Sequence, residues 1–143
     1  YRTDTGQLAL LDLGATSEFR AEFVEHYRRV CRAVLAGDRA GIRDAAFAIG
    51  YASPDDPPSM TEGALDIIEL VCEPLAHRGL YDFAGSGLIG RARDLGLAVV
   101  FDRGLRSPPP ETIFLHRKLL GTFLVCSRLK ARVNVHALIE RFV

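Results

Sequence analysis

This chain has no surplus of either charge: 18 Lys and Arg stand against 18 Asp and Glu. The balance supplies no electrostatic argument for nucleic acid, and no stretch interleaves basic with aromatic side chains as a single-strand groove would. Long apolar runs are also absent. The most apolar segments, LGLAVVF and LLGTFLVC, fall far short of the ~20 residues that cross a bilayer. No signal-peptide pattern is visible at Tyr1. Cysteine is scarce, and Cys31, Cys72 and Cys126 lie far apart without any C-x-x-C pair. That excludes a disulfide framework and leads us to expect reduced, buried thiols in an intracellular compartment. Internal repeats and low-complexity tracts are missing too.

What is present is an ordinary globular composition, 48% hydrophobic and 25% charged over 143 residues, enough for one domain with a real core. The charge is unevenly placed. Residues 1–100 hold 10 basic and 15 acidic groups, and residues 101–143 hold 8 basic and 3 acidic. The basic third reads either as a surface for an acidic partner or anionic membrane, or as the counterpart of the acidic first part.

Periodicity predicts a mainly helical molecule. YRTDTGQLALLDL has the pattern of a hairpin turning at Asp4-Thr5-Gly6 and is expected to be the only β structure. Phe19, Phe23, Tyr27, Val30, Cys31, Val34 and Leu35 recur at helical spacing, with Ser17 as the expected cap and Gly37 as the stop. Asp38 caps a second helix that ends on Gly50. After SPDDPPS, Ser59 and Glu62 have the spacing of a capping box. Pro74 should kink or end the helix that follows. A glycine-dotted helix is expected around LIGRARDLGLAVV. Beyond SPPP, the segment from Glu111 to about Lys130 has so little polar face that it predicts a helix buried in the middle of a bundle. Asn134 should cap a last short helix running to Phe142.

One position calls for chemistry. Asp12 ends an apolar strand and is followed by Leu13 and then Gly14, where the backbone can turn away at once. A carboxylate so placed must be paired, hydrogen-bonded or bound to a cation. D-x-G has little specificity alone, but it sits within LLDLGATSEF, residues 10–19, and residues 108–133 read PPPETIFLHRKLLGTFLVCSRLKARV. Together these strings resemble the UbiB family of atypical kinase-like proteins, also called aarF-domain kinases. That family usually carries a string close to L-L-D-F-G-A-T-R-E-F and, about a hundred residues on, P-P-x-x-x-x-L-H-R-K followed by G-x-F-L.

The resemblance covers essentially the whole chain. It implies the C-terminal lobe of a protein-kinase-like fold, 1–143 as a single domain, with a short N-terminal β-hairpin followed by about five to six helices. It places Asp12 at the metal-binding Asp that holds Mg²⁺ against nucleotide phosphates. Leu13 departs from the usual Phe but keeps an apolar anchor. The nucleotide-binding lysine, the phosphate loop and the catalytic-loop Asp are not in this sequence, so the 143 residues alone are expected to be catalytically silent, with Mg-ATP used by the full-length parent. The partners implied are the missing N-terminal lobe, quinone-biosynthesis proteins or a membrane surface, without nucleic acid. Location is expected to be cytoplasmic or peripheral to the inner membrane, and exposed apolar surface would promote homo-oligomers. The alternative is a non-catalytic helical interaction module using the basic third.

Other residues read more simply. His116 and Arg117, on a very apolar helix, are expected to satisfy buried carbonyls or carboxylates and tie helices together. Cys72 and His77 are poorly spaced for one zinc ion. Thr16 and Ser17 resemble a phosphorylatable pair, but Ser17 is accounted for as a cap. Tyr27, between Phe19 and Phe23 in the pattern, reads as core.

Overall fold

A computed structural model describes residues 3–7 and 16–143. Residues 3–6 form the expected turn and Gln7 a single bridge, while the strands expected on either side lie outside the described residues. The described residues contain seven helices and one two-stranded sheet. Five helices are long: α1 (Ala21–Ala36), α2 (Arg39–Ile49), α3 (Pro58–Val71), α5 (Leu88–Asp102) and α6 (Pro110–Arg128). Two are short, α4 (Glu73–Ala76) and α7 (Val135–Ile139). The mainly α architecture matches the fold class expected from the sequence.

The α1–α2 hairpin follows directly from local chemistry. Gly37 takes φ 67°, which a side chain would resist, and the Asp38 N–H closes on the Ala33 carbonyl at 2.8 Å. Asp38 then accepts from the Gly41 N–H at 2.9 Å and so starts α2. The facing stripes, Val30, Ala33 and Val34 on α1 with Ile42, Ala45, Ala46 and Ile49 on α2, close around Leu65 of α3 as the first core.

Two expected caps are corrected. Ser17 does not cap α1, because the helix begins at Ala21 with Arg20 as its N-cap residue and no side-chain bond. Ser59 and Glu62 do not form a capping box. Pro58 opens α3 one residue before Ser59, and the Glu62 carboxylate is engaged by Arg39 and Arg43. Pro74 ends the helix rather than kinking it. α3 stops at Val71, and Pro74 sits buried in the first turn of α4, where a missing N–H does no harm.

β1 (Tyr81–Asp82) pairs antiparallel with β2 (Arg132–Val133), in register Tyr81 with Val133 and Asp82 with Arg132. The N-terminal hairpin is therefore not the only place for β structure. Tyr81, Phe83 and Leu88 form a second core with Phe123, Cys126 and Val135 packed on it. α5 lies on α3 with almost no gap: a Cβ at Gly63 would stand 2.8 Å from Val99 Cγ1.

α6 departs most from expectation. Thr112 is its one buried residue, while Ile113, Leu119, Leu120, Leu124 and Val125 are exposed. Instead of running through the middle of a bundle, α6 packs by one narrow side, because the described residues place no element on its outer side. α7 is capped as expected, by Asn134 Oδ1 accepting from the Ala137 N–H at 3.0 Å, but it ends at Ile139 rather than Phe142.

Candidate functional site

Asp12, the candidate metal-binding carboxylate, lies outside the described residues, as do Leu13 and Gly14. The structure does show what the chain meets on leaving that segment. Thr16 and Ser17 are exposed coil leading to Phe19, which stacks on Phe23 at 4.9 Å, and Phe23 in turn tilts against Tyr27 at 4.8 Å. Phe23 and Tyr27, four apart, share one side of α1, and Phe19, just before the helix, stacks onto it.

Arg20, next along, donates through Nη2 to both carboxylate oxygens of Glu111, at 2.9 and 3.0 Å. Two turns further on, Tyr27 meets Tyr51, just past α2, and His116 of α6. The Tyr51 hydroxyl lies 2.6 Å from His116 Nε2 and the Tyr27 hydroxyl 3.3 Å, and the two phenols share a short hydrogen bond. The network is satisfied when a neutral His116 accepts from Tyr51 and Tyr51 accepts from Tyr27. Burial raises the pKa of both phenols, reinforced in Tyr27 by the bond it donates to Tyr51. Burial of the ring against the tyrosines lowers that of His116, although its outer edge is exposed. Protonated phenols and a neutral imidazole make this a structural tie. His116 thus ties helices together as expected, through tyrosine hydroxyls rather than carbonyls or carboxylates. Arg117, its neighbour, is exposed and joins nothing among the described residues.

Between the starts of α1 and α6 lies an open cleft of about 450 Å³, lined by Arg20, Phe23, His26, Ile49, Pro109 and Glu111. Sequence reading missed Tyr51 and the Arg20 to Glu111 pair. Neither belongs to a local pattern, and an ion pair across 91 positions leaves no periodic signal.

A second polar cluster fastens α2, α3 and α5. Arg39 reaches Glu62 at 2.7 Å, Asp66 at 2.9 Å and also Glu69, while Arg43 holds Glu62 at 2.9 Å and Arg103 holds Asp66 at 2.8 Å. The bonds from Arg39 and then Arg43 hold Glu62 below its ordinary range. Burial pushes Asp66 upward, but Arg39 and Arg103 outweigh it and the net shift is down. Arg106 likewise holds Asp56, at 2.6 Å. Part of the basic third therefore answers the acidic first part, the simpler of its two readings.

These carboxylates are occupied by guanidinium groups, and among the described residues no group of three or more His, Cys, Asp or Glu is placed to hold a metal ion. The described residues do not by themselves fit a Mg-ATP site. His77 packs edge-on to Tyr81 at 5.6 Å. The three cysteines are free and half-buried. Burial raises the Cys31 thiol and pushes Cys72 up to about 12, so both stay protonated and unreactive near neutrality.

No protein-family model matches the chain. Similar curated proteins do exist. The rat "Atypical kinase COQ8B, mitochondrial" is 32% identical over 140 residues, covering 98% of this chain and 26% of that protein. The Saccharomyces cerevisiae "Atypical kinase COQ8, mitochondrial" is 31% identical over 138 residues, 94% of this chain and 27% of its own length. Its relatives are atypical kinases of the UbiB/COQ8 family. The Dictyostelium discoideum "Probable serine/threonine-protein kinase abkA" is 28% identical over 143 residues, 95% of this chain and 25% of its own. The chain thus spans about a quarter of the length of these UbiB/COQ8 kinases. Arg20 with Glu111, and Tyr27 with His116, join the stretch directly after the first family string to the helix that holds the second. Among the described residues no helix is long and apolar enough to cross a membrane.

Proposed function

We propose that these residues serve as the C-terminal lobe of a UbiB-type atypical kinase or ATPase that supports quinone biosynthesis, with Asp12 contributing one Mg²⁺ ligand at the nucleotide phosphates. The observation that carries the reading is the tie between α1, which follows the first family string, and α6, which holds the second: Arg20 pairs with Glu111 and Tyr27 meets His116. A carboxylate that grips a cation must come off a stiff support, and in this reading the α1 to α6 tie is part of that support. A single carboxylate does not complete a Mg²⁺ shell, so the remaining ligands and the phosphoryl-transfer groups belong to the rest of a longer protein. By themselves the 143 residues are inactive in this reading. The relatives' mitochondrial names suit a protein held peripherally at the inner membrane.

In the full-length protein, Asp12→Asn should abolish Mg²⁺-dependent ATP hydrolysis and leave the circular dichroism spectrum and melting temperature close to those of the parent. Full turnover in that variant would remove Asp12 from the site. A second reading, a non-catalytic interaction module, is favoured by the exposed outer side of α6.

A further inference from the structure

The α6 helix presents Ile113, Arg117, Leu120, Leu124 and Arg128 at intervals of four, three, four and four, which sets all five on one face. The three apolar members are 50%, 50% and 47% exposed. Both arginines are exposed and have no carboxylate partner among the described residues, unlike Arg103 and Arg106. Gly121 lies beside this face in the middle of the helix. A Cβ there would meet nothing within 4 Å, so no packing among the described residues requires glycine, although glycine weakens a helix interior. A notch matters only to a rigid body that packs closely against it.

We infer that this face of α6 docks an amphipathic helix of a partner protein whose apolar stripe is edged with acidic side chains. The aliphatic residues bury its stripe, Gly121 admits its backbone or a large side chain, and Arg117 and Arg128 meet its carboxylates. A helix is favoured over a lipid surface because fluid acyl chains gain nothing from a one-residue notch, whereas interlocking helices do. The inference stands independently of any metal role for Asp12.

The test uses a labelled synthetic helical peptide with leucines at i, i+4, i+7 and i+11 flanked by glutamates, and the same peptide with lysines in their place, titrated with the 143-residue chain by fluorescence anisotropy. The acidic peptide should bind, and the lysine peptide should bind at least about tenfold more weakly, with the difference shrinking in salt. Leu124→Glu and Gly121→Leu should each weaken the acidic peptide by about tenfold or more. Because the Gly121 site opens on free space, Gly121→Leu should keep the native circular dichroism spectrum, which separates a blocked notch from a misfolded helix. Unchanged binding in folded Gly121→Leu would overturn the inference. So would tighter binding of that variant to phosphatidylserine vesicles with no peptide binding, or self-association of the chain in sedimentation that Leu124→Glu abolishes, since these assign the face to a membrane or to a second copy.

Discussion

Leu65 of α3 and Leu124 of α6 are the same side chain in helices rich in apolar residues, yet the first is 0% exposed and the second 47%. Around Leu65 the chain supplies its own cover. α1 and α2 turn back on each other through Gly37 and Asp38, their stripes close over α3, and the outer side of the joint is fastened by Arg39 and Arg43. Around Leu124 the described residues supply support on one side only, through Phe123 and Cys126 against the second core. The first region is a self-sufficient fold, and the second is a surface. Hydrophobicity measures what a helix is able to bury, and topology decides whether anything comes to cover it.

The sharpest way to break this contrast is to truncate both leucines. Leu65→Ala should destabilise the chain by about 2–5 kcal/mol, the usual loss for a fully enclosed leucine, whereas Leu124→Ala should stay within about 0.5 kcal/mol of the parent. Urea denaturation followed by circular dichroism measures both. Equal losses would mean that α6 is enclosed by something this arrangement does not provide.

A second pair of changes puts the same question to glycine. At Gly63 an added methyl would stand 2.8 Å from Val99, itself 1% exposed, so α3 and α5 must move apart. Gly63→Ala should lose about 1–3 kcal/mol through overpacking. Gly121→Ala meets open space and should gain about 0.5–1 kcal/mol from helix propensity. Opposite signs in thermal melts of the two variants are expected, and a loss at Gly121 would place a neighbour against α6 within the chain.

The same contrast explains what the sequence revealed. Local signals held where local chemistry decides: Gly37 and Gly50 ended their helices, and Asp38 and Asn134 capped theirs. They misled where a non-local partner claimed the side chain, as Arg39 and Arg43 took the Glu62 carboxylate that a capping box needed. The two-residue pairing of β1 with β2 is too short for alternation to show. Of the candidate site, the two family strings were legible as text, but the ties that the second makes were not, because Arg20 with Glu111 and Tyr51 with His116 are contacts between distant residues that carry no periodicity. Asp12 lies outside the described residues, so its role rests on the resemblance and on what those residues do around its exit.

His116 offers the finest probe, because it joins the covered region to the open one. The unfolded imidazole titrates near 6.5, and burial against the tyrosines holds the folded value lower. A group whose folded value is depressed contributes its stability in full above the unfolded value and loses it as pH falls through 6.5 and on past the folded value. The groups facing it are the protonated phenols of Tyr27 and Tyr51, with the protonated Cys72 thiol behind them. None of these carries a charge that would compensate an imidazolium. At pH 7.5, His116→Phe should cost about 1 kcal/mol, the net loss of a hydrogen bond to a half-buried tyrosine. That difference should shrink as the pH is lowered from 7.5 to 5, since the parent then loses what the variant never had. His26, His77 and His136 remain in both proteins, so subtracting one stability curve from the other isolates His116. A difference that stays constant across this window would show that the imidazole titrates no differently in the fold than in water, and that the tie between α1 and α6 does not depend on its neutral form.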